Sequence, residues 1–248
     1  MLLQGFFSQH PKIAVAFSGG VDSSYLLYAA KHAGNDVGAY FIKSQFQPEF
    51  ELNDAKRMAE LIGVPLTIER LDALSLPDVQ KNHADRCYHC KTAILRRLWE
   101  LARADGYQVL CDGTNADDDE ADRPGMVALR EQGVISPLLD CRLSKQDIRR
   151  LSKQAGLFTH DKPAYACLAT RVPTGTEIAG AQLQKIERAE TALFAMGFTD
   201  FRVRLLPPGG AKLQLPGAQF QKAAKLRSEI LGALKPDFTS VVLDLEPR

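Results

Sequence analysis

The chain has 248 residues, of which 45% are hydrophobic and 25% are charged, and its 31 Lys and Arg nearly balance its 30 Asp and Glu. This composition is typical of a globular protein; it excludes a collagen-like chain and argues against a largely disordered one. The net charge of +1 argues against a general electrostatic nucleic-acid binder.

The number of cysteines and the length of the apolar runs indicate in which cellular compartment the protein is expected. There are five cysteines, too few for a disulfide scaffold in a chain of this length. The N-terminal segment lacks the basic and apolar regions of a signal peptide, and no apolar run reaches the roughly 18 residues of a membrane span. We therefore expect a cytoplasmic protein with reduced thiols and no membrane partner.

Short apolar runs alternate with amphipathic stretches through the first two thirds of the chain. The runs at 13–17, 37–42, 66–68, 109–111 and 134–135 are typical of buried strands, and helices are predicted over 23–31, 51–62, 94–104, 126–132 and 147–155. This alternation predicts an α/β fold with a doubly wound, Rossmann-like parallel sheet covered on both faces.

The pattern changes after residue 171. Helices are predicted over 181–196 and 218–234, and strands over 201–206, 212–215 and 240–245. We expect a boundary near residues 172–176, between a nucleotide-binding domain at 1–171 and a small α+β C-terminal domain at 172–248.

A glycine-rich turn joins the first predicted strand to the first predicted helix. Its sequence, Ser-Gly-Gly-Val-Asp-Ser-Ser over 18–24, lets the backbone approach an anion, and the helix start supplies unpaired N–H groups and the positive end of the helix dipole. The turn is neither a Walker A loop nor a dinucleotide fingerprint, because neither glycine spacing is present. It suits a pyrophosphate group.

Three cysteines form a second candidate site. Cys87 and Cys90 form a C-x-x-C pair, and Cys167 follows in the stretch KPAYACLATR. Three thiolates are one ligand short of a closed Cys₄ zinc site and would leave one iron of a 4Fe–4S cluster open. A zinc site completed by His83 or His89, and a redox disulfide between Cys87 and Cys90, are the alternatives. Cys111 and Cys141 are typical of small core residues.

The string SGGVDS resembles the pyrophosphate loop of the N-type ATP pyrophosphatases, which have an adenine nucleotide α-hydrolase-like fold. That resemblance implies cleavage of ATP between its α and β phosphates. Further motifs in the same order make nearly the whole chain similar to the LarE family of sulfur transferases. These motifs are RCYHCK at 86–91, DGTNADD at 112–118, RPG at 123–125, SPL at 136–138, DKP at 161–163, CLATR at 167–171 and FRVR at 201–204.

The resemblance implies a reaction. A carboxylate of a pyridinium dicarboxylate mononucleotide is adenylated by ATP with Mg²⁺, and sulfur then displaces AMP to leave a thiocarboxylate for a nickel-pincer cofactor. In one branch of the family a cysteine at the position of Cys167 gives up its own sulfur. The branch with the additional C-x-x-C pair carries sulfide on a 4Fe–4S cluster, and this chain resembles that branch. The resemblance also implies a sulfide or other sulfur donor and a homo-oligomer, trimeric or hexameric, with residues 172–248 as a domain for substrate binding and oligomerisation.

Roles follow position by position from the same resemblance. The residues implied to bind ATP are Ser18, Gly19, Gly20, Asp22, Ser23, Ser24, Lys91, Gly113, Thr114 and Asn115, and Asp118 is implied to help hold Mg²⁺. The residues implied to bind substrate are Arg171, Glu190, Arg202 and Arg204, the last two at its phosphate. Two departures stand out, because Gln214 replaces an expected acid and Asp118 is followed by further acids.

Other functions remain open. A tRNA-thiolating enzyme could use the basic stretch over 142–171, which carries seven Lys or Arg and two Asp or Glu. Against it, no RNA-binding module is evident in the sequence. An ammonia-using amidating ligase would share the loop but would not need three cysteines. A non-enzymatic iron–sulfur or zinc module would release no pyrophosphate.

Overall fold

The computed structural model describes residues 2–118 and 124–248. By its contacts the chain divides into two compact units, Met1–Asp72 with Asp85–Lys162, and Ala73–Ala84 with Pro163–Arg248. The predicted domains, 1–171 and 172–248, stay a prediction. No helix among the described residues is long and apolar enough to cross a lipid bilayer.

The first unit contains a four-stranded sheet in the order β3-β2-β1-β4, with parallel pairing throughout. Its strands are β1 (Lys12–Ala16), β2 (Asp36–Lys43), β3 (Leu66–Arg70) and β4 (Leu110–Cys111). Its helices are α1 (Leu3–Gln9), α2 (Val21–His32), α3 (Glu49–Ile62), α5 (Arg86–Ala104), α6 (Pro124–Glu131), α7 (Pro137–Asp140) and α8 (Lys145–Gln154), and α4 (Pro77–Gln80) belongs to the second unit. The predicted α/β class is therefore confirmed.

β1 and β2 are buried on both faces along most of their length, which explains why they contain continuous apolar runs, whereas the edge strand β3 is partly exposed. Successive strand residues point to opposite faces. Ile13 and Val15 of β1 belong to the core cluster that includes residues of α2 and α3. Ala14 belongs to a second cluster, with Leu95 and Leu98 of α5.

The strand order places a topological switch point next to β1. The chain runs from β1 outward through β2 to β3, and then returns to form β4 on the other side of β1. In open α/β sheets, ligands bind at the carboxyl ends of strands where the order reverses. The loops after β1 and β4 therefore meet at one edge.

The second unit contains a three-stranded sheet in the order β5-β6-β7. β5 (Arg202–Leu206) pairs antiparallel with β6 (Gly210–Gln214), which pairs parallel with β7 (Val241–Leu243). Its helices include α9 (Gly180–Ala195), α10 (Phe220–Lys225) and α11 (Arg227–Leu234).

Apart from shifts of one or two residues at their ends, three predicted elements differ from the structure. The helix predicted over 94–104 begins at Arg86, so the C-x-x-C pair lies inside α5; its first turns carry no apolar stripe to reveal this. The helix predicted over 218–234 is divided at Leu226 into α10 and α11. The strand predicted over 134–135 is only an isolated bridge between Ile135 and Cys111.

Candidate active site

The glycine-rich turn after β1 leads directly into α2. Gly19 has a φ of 69°, in the left-handed region. A β-carbon there would lie 3.0 Å from the backbone nitrogen of Ala55 in α3. Gly20 is the extended N-cap residue of α2. The turn is thus packed closely on α3 and presents the N-terminus of a helix, an arrangement that binds anions.

The three serines of the turn have different environments. The hydroxyl oxygens of Ser18 and Ser23 are 3.0 Å apart, and the Ser23 hydroxyl also donates to the carbonyl of Gly20 at 3.4 Å. Ser24 is fully buried within α2. Ser23 is buried as well, at 4% exposure, so burial does not separate these two serines, and the ATP-binding roles of Ser18, Ser23 and Ser24 stay predictions.

The loop after β4 packs against the start of α2. A β-carbon at Gly113 would lie 2.7 Å from the backbone nitrogen of Ser23, so glycine is required for this close approach. Asp112 is buried and accepts hydrogen bonds from the hydroxyls of Thr114 at 2.5 Å and Ser136 at 2.6 Å. The buried carboxylate thereby fixes the shape of the second loop.

Asp22 lies between two groups from distant segments of the first unit. The side-chain amide of Asn115 donates to Asp22 Oδ1 at 3.4 Å. Nζ of Lys145 lies 2.5 Å from Asp22 Oδ2. Lys145 is the first residue of α8, which is fixed by a capping box between Ser144 and Asp147. Asp118 accepts a hydrogen bond from the Asn115 backbone at 3.1 Å, so four polar residues adjoin the α2 N-terminus.

A second lysine reaches the turn from the end of the unit. Nζ of Lys162 lies 2.7 Å from Asp54 Oδ2 of α3 and donates to the carbonyl of Gly19 at 3.4 Å. Neither Lys145, Lys162 nor Asp54 is among the predicted site residues. Lys162 lies in the DKP motif at 161–163 and Lys145 in the basic stretch over 142–171. These two patterns are the sequence signals that could have identified the lysines as site residues.

The C-x-x-C pair lies on the first turns of α5. Cys87 is exposed and Cys90 is half-buried, and their spacing of three residues places both on one helix face. Arg86 Nη2 donates to Cys87 Sγ at 3.4 Å, which brings a positive charge to that thiol. His89 pairs with Asp85 at 3.2 Å.

Across residues 2–118 and 124–248, no group of three or more His, Cys, Asp or Glu side chains has the geometry to hold a metal ion. Cys167, the third predicted ligand, belongs to the second unit. The ligand set of Cys87, Cys90 and Cys167 therefore stays a prediction. Cys111 is buried, and that burial raises the pKa of its thiol, as expected for a core cysteine.

Lys91 follows the pair and packs on α6. A β-carbon at Gly125 would lie 3.2 Å from Cδ of Lys91 and 3.9 Å from its Nζ. The absence of a side chain at Gly125 therefore leaves room for the lysine. Within the same motif Arg123 lies outside the described residues, as do Asp119, Glu120 and Asp122 of the acidic stretch.

In the second unit, Arg171 and Glu190 form a buried ion pair. Arg171 Nε and Nη2 donate to the two oxygens of Glu190 at 2.8 and 3.1 Å, and the side chains are 0% and 2% exposed. Glu190 also accepts from the backbone N–H of Val203 at 2.9 Å and from the Tyr165 hydroxyl at 2.5 Å. Through these hydrogen bonds Tyr165 and Arg171, which lie close to Cys167 in sequence, are connected to α9 and β5.

Arg202 and Arg204 donate to backbone carbonyls. Arg202 is buried and donates to the carbonyls of Phe201 at 2.7 Å and Ala164 at 2.8 Å. Arg204 donates to the carbonyl of Thr170 at 2.6 Å. Burial, with the nearby charge of Arg171 as a second cause, lowers the pKa of Arg202 to about 10 and also lowers the pKa of Arg204. Their binding to a substrate phosphate stays a prediction.

Gln214 connects Arg204 to the carboxylate of Asp244 through hydrogen bonds. It accepts a hydrogen bond from Arg204 and donates to Asp244 Oδ2 at 3.0 Å. Lys212 also pairs with Asp244, at 2.9 Å. The carboxylate expected at position 214 is thus provided by Asp244, which follows β7 and is linked to Arg204 through Gln214.

Comparisons with known proteins agree with this geometry. Residues 8–118 match the asparagine synthase family model. An uncharacterized protein of Synechocystis sp., slr1717, is 36% identical over 98% of this chain and 92% of its own length. The pyridinium-3,5-bisthiocarboxylic acid mononucleotide synthase of Lactiplantibacillus plantarum is 31% identical over 94% of this chain and 86% of its own length.

A relative with another substrate matches a smaller part of the chain. The tRNA-specific 2-thiouridylase MnmA of Pseudothermotoga lettingae is 28% identical over 61% of this chain and 54% of its own length. The Lactiplantibacillus enzyme therefore shares far more of the molecule, including the segment of Cys167. Together with the two loops at the α2 N-terminus, this match shows that the chain belongs to the LarE family of ATP-dependent PP-loop sulfurtransferases.

Proposed function

We propose that this protein uses ATP to convert a carboxylate of a pyridinium dicarboxylate mononucleotide into a thiocarboxylate, a step in making a nickel-pincer cofactor. The observation that carries the proposal is the contact between the loops after β1 and β4, where Gly113 abuts Ser23 at the start of α2. The likeness to the Lactiplantibacillus synthase supports the choice of substrate.

The first step is adenylation. An oxygen of the substrate carboxylate attacks the α-phosphorus of ATP, the bond from that phosphorus to the bridging oxygen breaks, and pyrophosphate leaves. The N-terminus of α2 offers N–H groups and a positive dipole end to the departing phosphates. Lys145 and Lys162 exchange their carboxylate partners, Asp22 and Asp54, for phosphate oxygens. Asp22, released from Lys145, and Asp118 are the residues that would hold Mg²⁺, which would supply positive charge to the phosphates.

The second step transfers sulfur. A sulfide sulfur attacks the acyl carbon of the adenylate, the bond from that carbon to the AMP oxygen breaks, and AMP leaves. We propose Cys87, Cys90 and Cys167 as ligands of a 4Fe–4S cluster, because thiolates are the ligands that such clusters take. When bound, the cluster supplies an iron without a protein ligand, on which an extra sulfide can be carried.

The test combines iron content with product identity. Anaerobically purified protein is expected to contain iron and sulfide, and to convert the mononucleotide to its thiocarboxylate when given ATP, Mg²⁺ and sulfide. Cys87→Ser is expected to lose both the iron–sulfur absorption and the product, because one thiolate ligand is missing. Mass spectrometry detects the exchange of oxygen for sulfur.

Cys141→Ser is the matched control, since Cys141 is a half-buried thiol outside the predicted ligand set, and it should behave as the unchanged protein. If Cys87→Ser keeps the chromophore, the ligand set is wrong. If iron is absent and Cys167 loses the mass of H₂S during turnover, the sulfur comes from that cysteine instead.

Thiolation of tRNA is the second candidate. It is favoured by the match to MnmA and by the basic stretch over 142–171. Binding of tRNA in the micromolar range that weakens steeply with salt would support it.

We also propose that residues 172–248 mediate assembly into a trimer or hexamer. Native mass spectrometry of the purified protein tests this oligomeric state.

A further inference from the structure

The segment that carries Cys167 is held by three arginines. We call residues 164–171 the cysteine segment. Its backbone carbonyls accept hydrogen bonds from Arg202 at Ala164 (2.8 Å), from Arg171 at Ala166 (2.9 Å) and from Arg204 at Thr170 (2.6 Å). Each guanidinium thus donates a hydrogen bond to a different backbone carbonyl of the segment. Within the cysteine segment, the ring of Tyr165 contacts two of these guanidiniums, those of Arg171 and Arg202.

Tyr165 joins the parts of this arrangement. The guanidinium carbon of Arg171 lies 4.6 Å from the centre of its ring, and that of Arg202 lies 5.3 Å from it. The hydroxyl donates to Glu190 Oε2 at 2.5 Å. The electron-rich face of an aromatic ring attracts guanidinium groups, so the ring offsets the repulsion between two buried cations.

The geometry points to Tyr165 as a positioning residue that fixes the alignment of the cysteine segment, and hence of Cys167. Its ring connects the segment to Arg202 of β5, and its hydroxyl connects it to Glu190 of α9. Both partners belong to regular elements of the second unit, and a site on such elements is held more precisely than one on an isolated loop. The assignment of a chemical role to Cys167 rests on the proposed function, whereas the clamping of the segment does not.

The experiment compares Tyr165→Phe, which keeps the ring and removes the hydroxyl, with Tyr165→Leu, which removes both. Hydrogen exchange is measured on the protein as purified, at the Thr170 amide, which donates to the Cys167 carbonyl at 3.0 Å. Loss of a hydrogen bond to a carboxylate is expected to speed local exchange about tenfold in Tyr165→Phe, and loss of the ring to speed it further in Tyr165→Leu. Tyr28→Phe removes an exposed tyrosine hydroxyl that lies near His32 in the first unit and should change nothing.

The readouts separate positioning from general stability and from the proposed function. Faster exchange confined to the cysteine segment, with a lower kcat for thiocarboxylate formation and an unchanged KM for ATP, supports the inference. Unchanged exchange at Thr170 in Tyr165→Phe overturns it, as does an equal rise across α9 and β5. If Tyr165→Leu does not fold, Tyr165→Phe still decides. If the unchanged protein forms no thiocarboxylate, the proposed function fails while the exchange result continues to test the clamp.

Discussion

Replacing Glu190 by leucine is expected to lower the free energy of unfolding of the second unit by about 3–5 kcal/mol, because a buried ion pair is broken and one charge is left without its partner. Arg171, which is 0% exposed in the unchanged protein, would have two of its donors unpaired, and the backbone N–H of Val203 would lose its acceptor. Hydrogen exchange at amides of α9 and β5 measures the loss within this unit.

Two further variants make the Glu190 result specific. The double change Arg171→Met with Glu190→Leu removes both charges and is expected to recover the part of the loss that comes from the unpaired charge, while the backbone N–H of Val203 still lacks its acceptor. Arg188→Met removes an exposed partner of Asp237 and should have little effect, since exposed pairs contribute little. A Glu190→Leu protein as stable as the unchanged one would contradict the structural role of the pair.

Replacing Gly113 by alanine is expected to slow pyrophosphate release by about a hundredfold, because a shift of about 1 Å in a reacting group costs that much in rate. The added carbon would lie 2.7 Å from the Ser23 nitrogen, closer than the van der Waals contact of two such atoms allows. The N-terminus of α2 or the second loop must move. The rate is measured with ATP and the mononucleotide under saturating conditions.

Gly232→Ala is the matched control, since a β-carbon there would meet nothing within 4 Å. It lies in α11 of the second unit, where alanine favours the helix. We expect its pyrophosphate release to equal that of the unchanged protein. Equal rates for Gly113→Ala and Gly232→Ala would show that the contact between the two loops has no part in catalysis.

The parallel sheet and the pyrophosphate loop were predictable because their signals are local. A continuous apolar run buried on both faces identifies β1, predicted over 13–17 and found as Lys12–Ala16. The turn after it is defined by two glycines and three serines that are adjacent in sequence. The family resemblance extended this interpretation to Gly113, whose packing against Ser23 gives a physical reason for that glycine.

The partners of the loop residues were not predictable, because they meet only through the tertiary fold. Lys145 is 123 positions from Asp22, and Lys162 is 108 positions from Asp54. Surface and site lysines look alike in sequence. The resemblance implies that Arg202 and Arg204 bind a substrate phosphate, which stays a prediction. Their hydrogen bonds to the carbonyls of Ala164 and Thr170 are not revealed by any periodicity of the sequence.

The most direct test of the central claim is pyrophosphate release measured with ATP, Mg²⁺ and sulfide, with and without each acceptor. We predict that the pyridinium dicarboxylate mononucleotide stimulates release of pyrophosphate and AMP in equal amounts, while tRNA and ammonia do not. Release that is stimulated by tRNA instead, or formation of ADP and phosphate with the mononucleotide, would contradict it.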